Sequence, residues 1–123
     1  MNGNDFVVAD SNAIIYLFDG KDCMNPYKEK NLIVSIVTEM ELLSFPKITQ
    51  KELVTFKSFL KECTLLALND NIKEEAIYIR RKYGTKLPDA IVAATSICSG
   101  FPLITADKGF RKITELDLQI LEP

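Results

Sequence analysis

The 123-residue chain has no histidine, no tryptophan and only three cysteines. Each absence removes a class of chemistry. Without imidazole there is no histidine base, no Ser–His nucleophile and no His-ligated zinc. Cys23, Cys63 and Cys98 are scattered, odd in number and without CxxC spacing. They read as reduced packing residues, not as metal ligands or disulfide partners. No apolar run approaches the roughly 20 residues of a membrane-spanning helix, and the opening MNGND is too polar for a signal peptide. A cytoplasmic protein with no membrane partner is expected. The net charge is only −2, so no overall field draws in a polyanion. Nucleic-acid binding would need a local basic patch or a bound cation. What the chain does have is carboxylate, with 17 Asp and Glu. Catalysis, if present, must run on carboxylates, lysines, hydroxyls or thiols, and a carboxylate-bound hard cation is the natural candidate.

Length suits one domain over residues 1–123 with a core of its own. A hydrophobic fraction of 47% with 26% charged residues is the balance of an ordinary globule. The apolar runs FVVAD (6–10), NLIVSI (31–36), TLLAL (64–68), PLITA (102–106) and LQIL (118–121) read as five strands. Helices alternate with them. Residues 11–18 form one that closes at Asp19-Gly20, and 37–45 form another that is stopped by Pro46. Thr49 and Glu52 make a capping box ahead of Leu53, Phe56, Leu60 and Cys63, which share a helix face. Asn69 or Asp70 caps a helix bearing Ile72, Ala76, Ile79 and Tyr83 and ending near Gly84. Pro88 opens a helix over 88–99 that is apolar nearly all round, hence buried, and Gly100 ends it. This alternation predicts an α/β fold of three layers, α/β/α, around a mainly parallel five-stranded sheet.

In such a sheet ligands sit beyond the carboxyl ends of the strands, where strand order reverses. Asp10 ends the first strand and Asp107 follows PLITA, so the two acids share a crevice if these strands are neighbours. Each acid also has a purely structural role open to it. Asp10 fits a helix cap, Asp107 before Lys108-Gly109 fits a turn, and Asp89 after Pro88 fits a helix first turn. Glu41 falls between Val37 and Phe45 on an apolar sector of its helix, but Glu39 sits similarly between Leu42 and Leu43. Spacing alone does not choose between the two glutamates.

Taken together, VVADSNAIIYLF, SIVTEMELL, LPDAIVAATSI and LITADKGF resemble the four motif regions of PIN-domain nucleases, in order and across essentially the whole chain. The resemblance is to the VapC-type toxins of toxin–antitoxin pairs. Asp10 and Asn12 match the first motif, and Ser35, Thr38, Glu41 and Leu42 the second, which selects Glu41. Asp89 before AIVAAT matches the third, and Thr105 with Asp107 the fourth. The resemblance implies a metal-dependent endoribonuclease in which Asp10, Glu41, Asp89 and Asp107 are catalytic and hold one or two Mg²⁺ or Mn²⁺ ions. Asn12 and Thr105 would steady those carboxylates or their waters. Crowded carboxylates repel one another unless a cation sits among them, and with the ion counted, an acidic pocket accepts a phosphodiester.

Among the basic clusters, Lys108, Arg111 and Lys112 follow Asp107 and are the residues expected to border an RNA substrate. Few aromatics fall among them, so base stacking is not indicated. The resemblance further implies a homodimer and a small antitoxin partner. Leu53, Phe56, Leu60 and Tyr16-Leu17-Phe18 could supply apolar contacts for either, or could simply be core. Two other folds with related chemistry fit less well. A phosphorelay receiver needs adjacent acids after its first strand, where this chain has only Asp10. A haloacid-dehalogenase-like phosphatase needs Asp-x-Asp, where it has Asp10-Ser11-Asn12. A non-catalytic PIN-like scaffold, binding RNA or protein, is the remaining alternative, against which the retained acids argue.

Overall fold

Strand alternation sets the layers. In the computed structural model, which describes residues 5–123, β1 (Phe6–Ala9) sends Val7 and Ala9 to one face of the sheet and Val8 to the other, as a side-chain period of two requires. Residues 1–4, most of the polar opening, lie outside the described residues. β2 (Asn31–Ser35) splits Leu32 and Val34 from Ile33 in the same way, and β4 (Leu103–Thr105) splits Ile104 from Leu103. Two cores result. Ala13 and Ile14 of α1 (Ser11–Phe18), Leu42 of α2 (Ile36–Leu43) and Leu60 of α3 (Gln50–Lys61) cover one face. Ile72, Ala76 and Ile79 of α4 (Asp70–Tyr83) and Ala90, Val92, Ala93 and Ala94 of α5 (Leu87–Ser99) cover the other. Complete burial of side chains such as Ile14 and Leu42 contributes about 1.5–3 kcal/mol each.

The helix ends follow local chemistry. Thr49 and Glu52 form the reciprocal capping box at α3, and the Asn69 side-chain Oδ1 accepts from the Ile72 N–H at 2.8 Å to open α4. α4 and α5 close at Gly84 and Gly100, whose φ of 68° and 78° is strained for any residue with a Cβ.

The sheet is wholly parallel, in the order β3-β2-β1-β4-β5, with β3 at Thr64–Leu66 and β5 at Leu118–Ile120. β1 lies between β2 and β4, pairing Val8 with Leu103 and Ala9 with Ile104. The chain leaves β1 in one direction through β2 and β3, then returns to its other side at β4. The switch point therefore falls between β1 and β4. A receiver places its third strand beside its first; here β3 is at the outer edge, so the receiver topology is excluded.

Three features depart from the sequence reading. TLLAL gives only a short strand, and Leu65 and Leu68 are exposed because β3 has a neighbour on one side only. Two 3-10 segments, Asp22–Tyr27 and Lys108–Lys112, occupy stretches without helical periodicity, and each is pinned by one buried side chain, Met24 or Phe110. All three cysteines are free, but Cys98 is exposed on α5 and packs nothing in. Cys63 does pack, and burial, with a smaller contribution from Glu62, pushes its thiol up to about 11. Among the described residues no helix is long and apolar enough to cross a membrane.

Candidate active site

Asp10 sits at the carboxyl end of β1 and caps α1, its Oδ1 accepting from the Ala13 N–H at 2.9 Å. The helix-cap role is thus real, and it uses only one carboxylate oxygen. The other, Oδ2, accepts a short hydrogen bond from the Thr105 hydroxyl at the end of β4. Thr105 is fully buried, and its Oγ1 in turn accepts from the Asp107 backbone N–H at 3.0 Å. That bond leaves the hydroxyl hydrogen to point at Asp10. One side chain thereby ties the acids of β1 and β4 across the switch point. Asp107 itself is exposed, and its Oδ1 accepts from the Gly109 N–H at 2.8 Å, fixing the turn into the 3-10 segment.

The second motif builds its own support. Ser35 and Thr38 are both fully buried. The Ser35 Oγ accepts from the Thr38 N–H at 3.2 Å to cap α2, and Glu41 projects from the last turn of that helix. Glu41 is exposed, whereas Glu39 is partly covered, the reverse of what its apolar sector suggests. Exposure does not make Glu41 an ordinary surface acid. Partial burial of its carboxyl raises its pKa, Asp89 and Asp10 raise it further, and the Ser11 hydroxyl partly offsets them. Asp89, half-buried in the first turn of α5, is raised by burial and by Asp107, against the lowering pull of Lys86 and Lys112. Asp10 is raised chiefly by burial; Thr105 and Ala13 lower it, and Asp107 and Asp89 raise it. Asp10, Glu41 and Asp89 therefore each feel at least one other predicted acid, and no ion pair neutralises any of the four among the described residues.

The remaining predicted residues are placed less closely. Asn12 is exposed on the first turn of α1. Lys112 lines a pocket of about 270 Å³ with Asp89 and Asp107, but Lys108 and Arg111 do not. Lys86 and Thr85 line that pocket too, and the sequence reading did not single them out for it. In the sequence Lys86 is one more basic residue after Arg80-Arg81-Lys82, and a lone Thr carries no signal. At the other end of α1 from Asp10, Phe18 packs edge-on against Phe56 and Phe59, with centroids 5.2 and 5.1 Å away. Phe18 and Phe45 remain exposed and border, with Phe56, an apolar groove of about 460 Å³. Leu60 is core; Leu53, Tyr16 and Leu17 are partly covered.

The donor set is oxygen alone: four carboxylates with serine and threonine hydroxyls, and neither imidazole nor thiolate. This suits Mg²⁺ or Mn²⁺ rather than zinc. In the arrangement seen, no three acidic or cysteine side chains among the described residues are gathered tightly enough to enclose an ion. A cation that keeps most of its waters needs only one or two direct carboxylates, so the donor chemistry fits.

No curated protein matches the sequence. A chain of a toxin–antitoxin complex from Klebsiella pneumoniae superposes with a TM-score of 0.78 at 26% identity, covering 92% of this chain and 95% of that one. VapBC2 from Rickettsia felis, bound to a DNA fragment from its promoter, gives 0.81 at 17% identity over 95% and 99% of the two chains. VapBC-1 from nontypeable Haemophilus influenzae gives 0.74 at 21% identity over 94% and 97%. The family model of the PIN domain matches residues 7–116, from β1 to just before β5, and the chain belongs to the PIN-domain family.

Proposed function

We propose that this chain is a divalent-metal-dependent endoribonuclease and the toxin of a toxin–antitoxin pair. The observation that carries the reading is the link from Asp10 through Thr105 to Asp107 across the β1/β4 switch point, with Asp89 and Glu41 close enough to perturb and be perturbed. Asp10, Glu41, Asp89 and Asp107 would hold one or two Mg²⁺ or Mn²⁺ ions, directly or through water. When bound, such an ion supplies an acidified water and positive charge for in-line displacement at a phosphodiester.

The protein's own contribution is placement. Thr105 and the Ala13 amide hold both oxygens of Asp10, so its carboxylate does not swing. The Gly109 amide aims Asp107 in the same way. Lys112 and Lys86 flank Asp89, where positive charge favours an approaching phosphate. Single-stranded RNA incubated with the purified protein is cut in Mg²⁺ or Mn²⁺ and spared in EDTA. Intact RNA in both metals sinks the reading.

The apolar groove beside Phe18 and Phe45 supports the partner half of the proposal. Phe18 and Phe45 are 43% and 39% exposed, and such a surface suits an apolar segment of an antitoxin. The complexes to which this fold is similar are toxin–antitoxin pairs. A homodimer is proposed on the same footing, and light scattering of the purified chain decides it, a mass near the monomer's 13.9 kDa counting against it.

A further inference from the structure

One buried polar atom in this molecule has no partner. The Thr85 hydroxyl is sealed from solvent and makes no hydrogen bond among the described residues, in a residue only 4% exposed. Leaving such a group unpaired is costly, and a ligand that accepts from it would remove that cost. Thr85 lines the pocket shared by Lys86, Asp89, Asp107 and Lys112. It stands two residues before α5, whose N-cap, Lys86, provides no side-chain cap. The first amides of that 13-residue helix, those of Leu87 and Asp89 because Pro88 has none, therefore lack the side-chain oxygen that caps α1, α2, α3 and α4. Unpaired donors at a helix start, with two ammonium groups beside them, are an anion-binding combination.

We propose that Thr85, Lys86, Lys112 and the amino end of α5 form a subsite for a backbone phosphate of the nucleic-acid strand, adjacent to the phosphodiester that is cut. The Thr85 hydroxyl donates to a non-bridging oxygen, the Leu87 and Asp89 amides meet the same phosphate, and the lysines supply charge. Asp89 and Asp107 occupy the other part of the pocket, so the phosphate here is a neighbour of the reacting one and sets the register of the strand. This rests on the nuclease reading, and it names the group by which that site grips its substrate.

Thr85→Val removes the hydroxyl with little change of shape. A merely structural threonine loses nothing, because an unpaired buried hydroxyl is replaced by a methyl group; the melting temperature stays level or rises. The subsite predicts in addition that KM for a short single-stranded RNA rises about tenfold with kcat within about twofold. A single uncharged methylphosphonate walked along the RNA should raise the wild-type KM similarly at one position, and add nothing in T85V. An unchanged KM in T85V, or a methylphosphonate penalty of equal size in both proteins, overturns the subsite while leaving the nuclease intact. A second measurement does not depend on cleavage. Dimethyl phosphate titrated into ¹⁵N-labelled protein should shift the amides of Thr85, Lys86, Leu87 and Asp89 in wild type and not in T85V; Pro88 has none. Their failure to shift in wild type also overturns the subsite; shifts without RNA cleavage by wild type would keep the phosphate site but remove the nuclease reading, and with it the place of this phosphate beside a cut bond.

Discussion

Glu115, in the loop before β5, and Asp10, at the end of β1, are both acids that accept hydrogen bonds from hydroxyl groups, yet their surroundings drive them in opposite directions. Glu115 receives the hydroxyls of Tyr83, Tyr78 and Thr114, with the Lys82 ammonium 3.4 Å away. The Tyr83 bond is the largest of the influences that draw its carboxyl down to about 2. Lys82 lies over the rings of Tyr78 and Tyr83 at 5.5 and 5.2 Å, completing a latch from α4 to the loop. Asp10 also has two donors, but burial outweighs them, and Asp107 and Asp89 add repulsion. One carboxylate is satisfied within the chain. The other belongs to a group of acids that no ion pair neutralises among the described residues.

The largest effect that could break this contrast is on activity. Asp10→Asn and Asp89→Asn should each reduce RNA cleavage by on the order of 10³-fold or more, with the melting temperature unchanged or raised. Asparagine keeps an oxygen for the Ala13 N–H and removes a repelled charge. Glu115→Gln should leave cleavage within about twofold. Equal activity losses in D10N and E115Q, measured on the same RNA, would mean that the acidic group at the switch point has no special part in catalysis.

A cation should act next most strongly, and on one group only. Raised folded-state pKa values for Asp10, Glu41 and Asp89 mean that the folded chain binds more protons than the unfolded chain, between the ordinary carboxylate range and the raised values. Stability from these acids is therefore greatest on the acid side and falls as pH rises through that window. Mg²⁺ binding only the folded state reverses the loss. The melting temperature of wild type should rise with millimolar Mg²⁺ or Mn²⁺ at neutral pH, rise much less near pH ~4 where carboxylates are protonated, and not respond in D10N. No response in wild type at neutral pH counts against metal binding.

Gly109 offers a smaller perturbation of the same site. A Cβ there would lie 3.0 Å from the Asp107 Oδ1, so Gly109→Ala must displace the carboxylate that the Gly109 amide now aims. Cleavage should drop roughly tenfold with little change in melting temperature, since the displaced group is exposed. Wild-type activity in G109A would show that the orientation of Asp107 is immaterial.

Much of the fold was legible because local rules and the tertiary structure agree. The capping box at Thr49, the Asn69 cap and the glycines after α4 and α5 all terminate helices where spacing places them. What escaped depended on neighbours. TLLAL has the composition of a buried strand, but its exposure follows from its place at the sheet edge, which no window of sequence contains. The 3-10 segment at Lys108–Lys112 has too few residues to show a period. At the site, Asp10 and Asp107 could be paired only on the condition that β1 and β4 are adjacent, and the strand order meets it. Glu41 and Glu39 were indistinguishable on a helical wheel, because the difference lies in the Asp89 and Asp10 charges across the crevice. Thr85 had no signal at all: its unpaired hydroxyl is a property of packing.

The smallest effect sharpens the comparison through its sign. Glu115 has a depressed folded-state pKa, so it contributes stability that is present above the unfolded carboxylate value and lost as pH falls through about 2. Glu115→Gln should lower the urea midpoint slightly at neutral pH, the latch being solvent-exposed and screened, and the gap to wild type should close toward pH 2. Asp10→Asn has the reverse sign: at neutral pH without metal the variant should match or exceed wild type, and that gap closes once pH falls below the ordinary carboxylate range. Mg²⁺ should reverse the second gap and leave the first untouched. Two acids in one chain then report opposite pH dependences, and only the acid at the switch point answers to a cation. A Glu115 gap that grew in acid, or that vanished in Mg²⁺, would mean that the two groups are not the separate chemical environments that their hydrogen bonds describe.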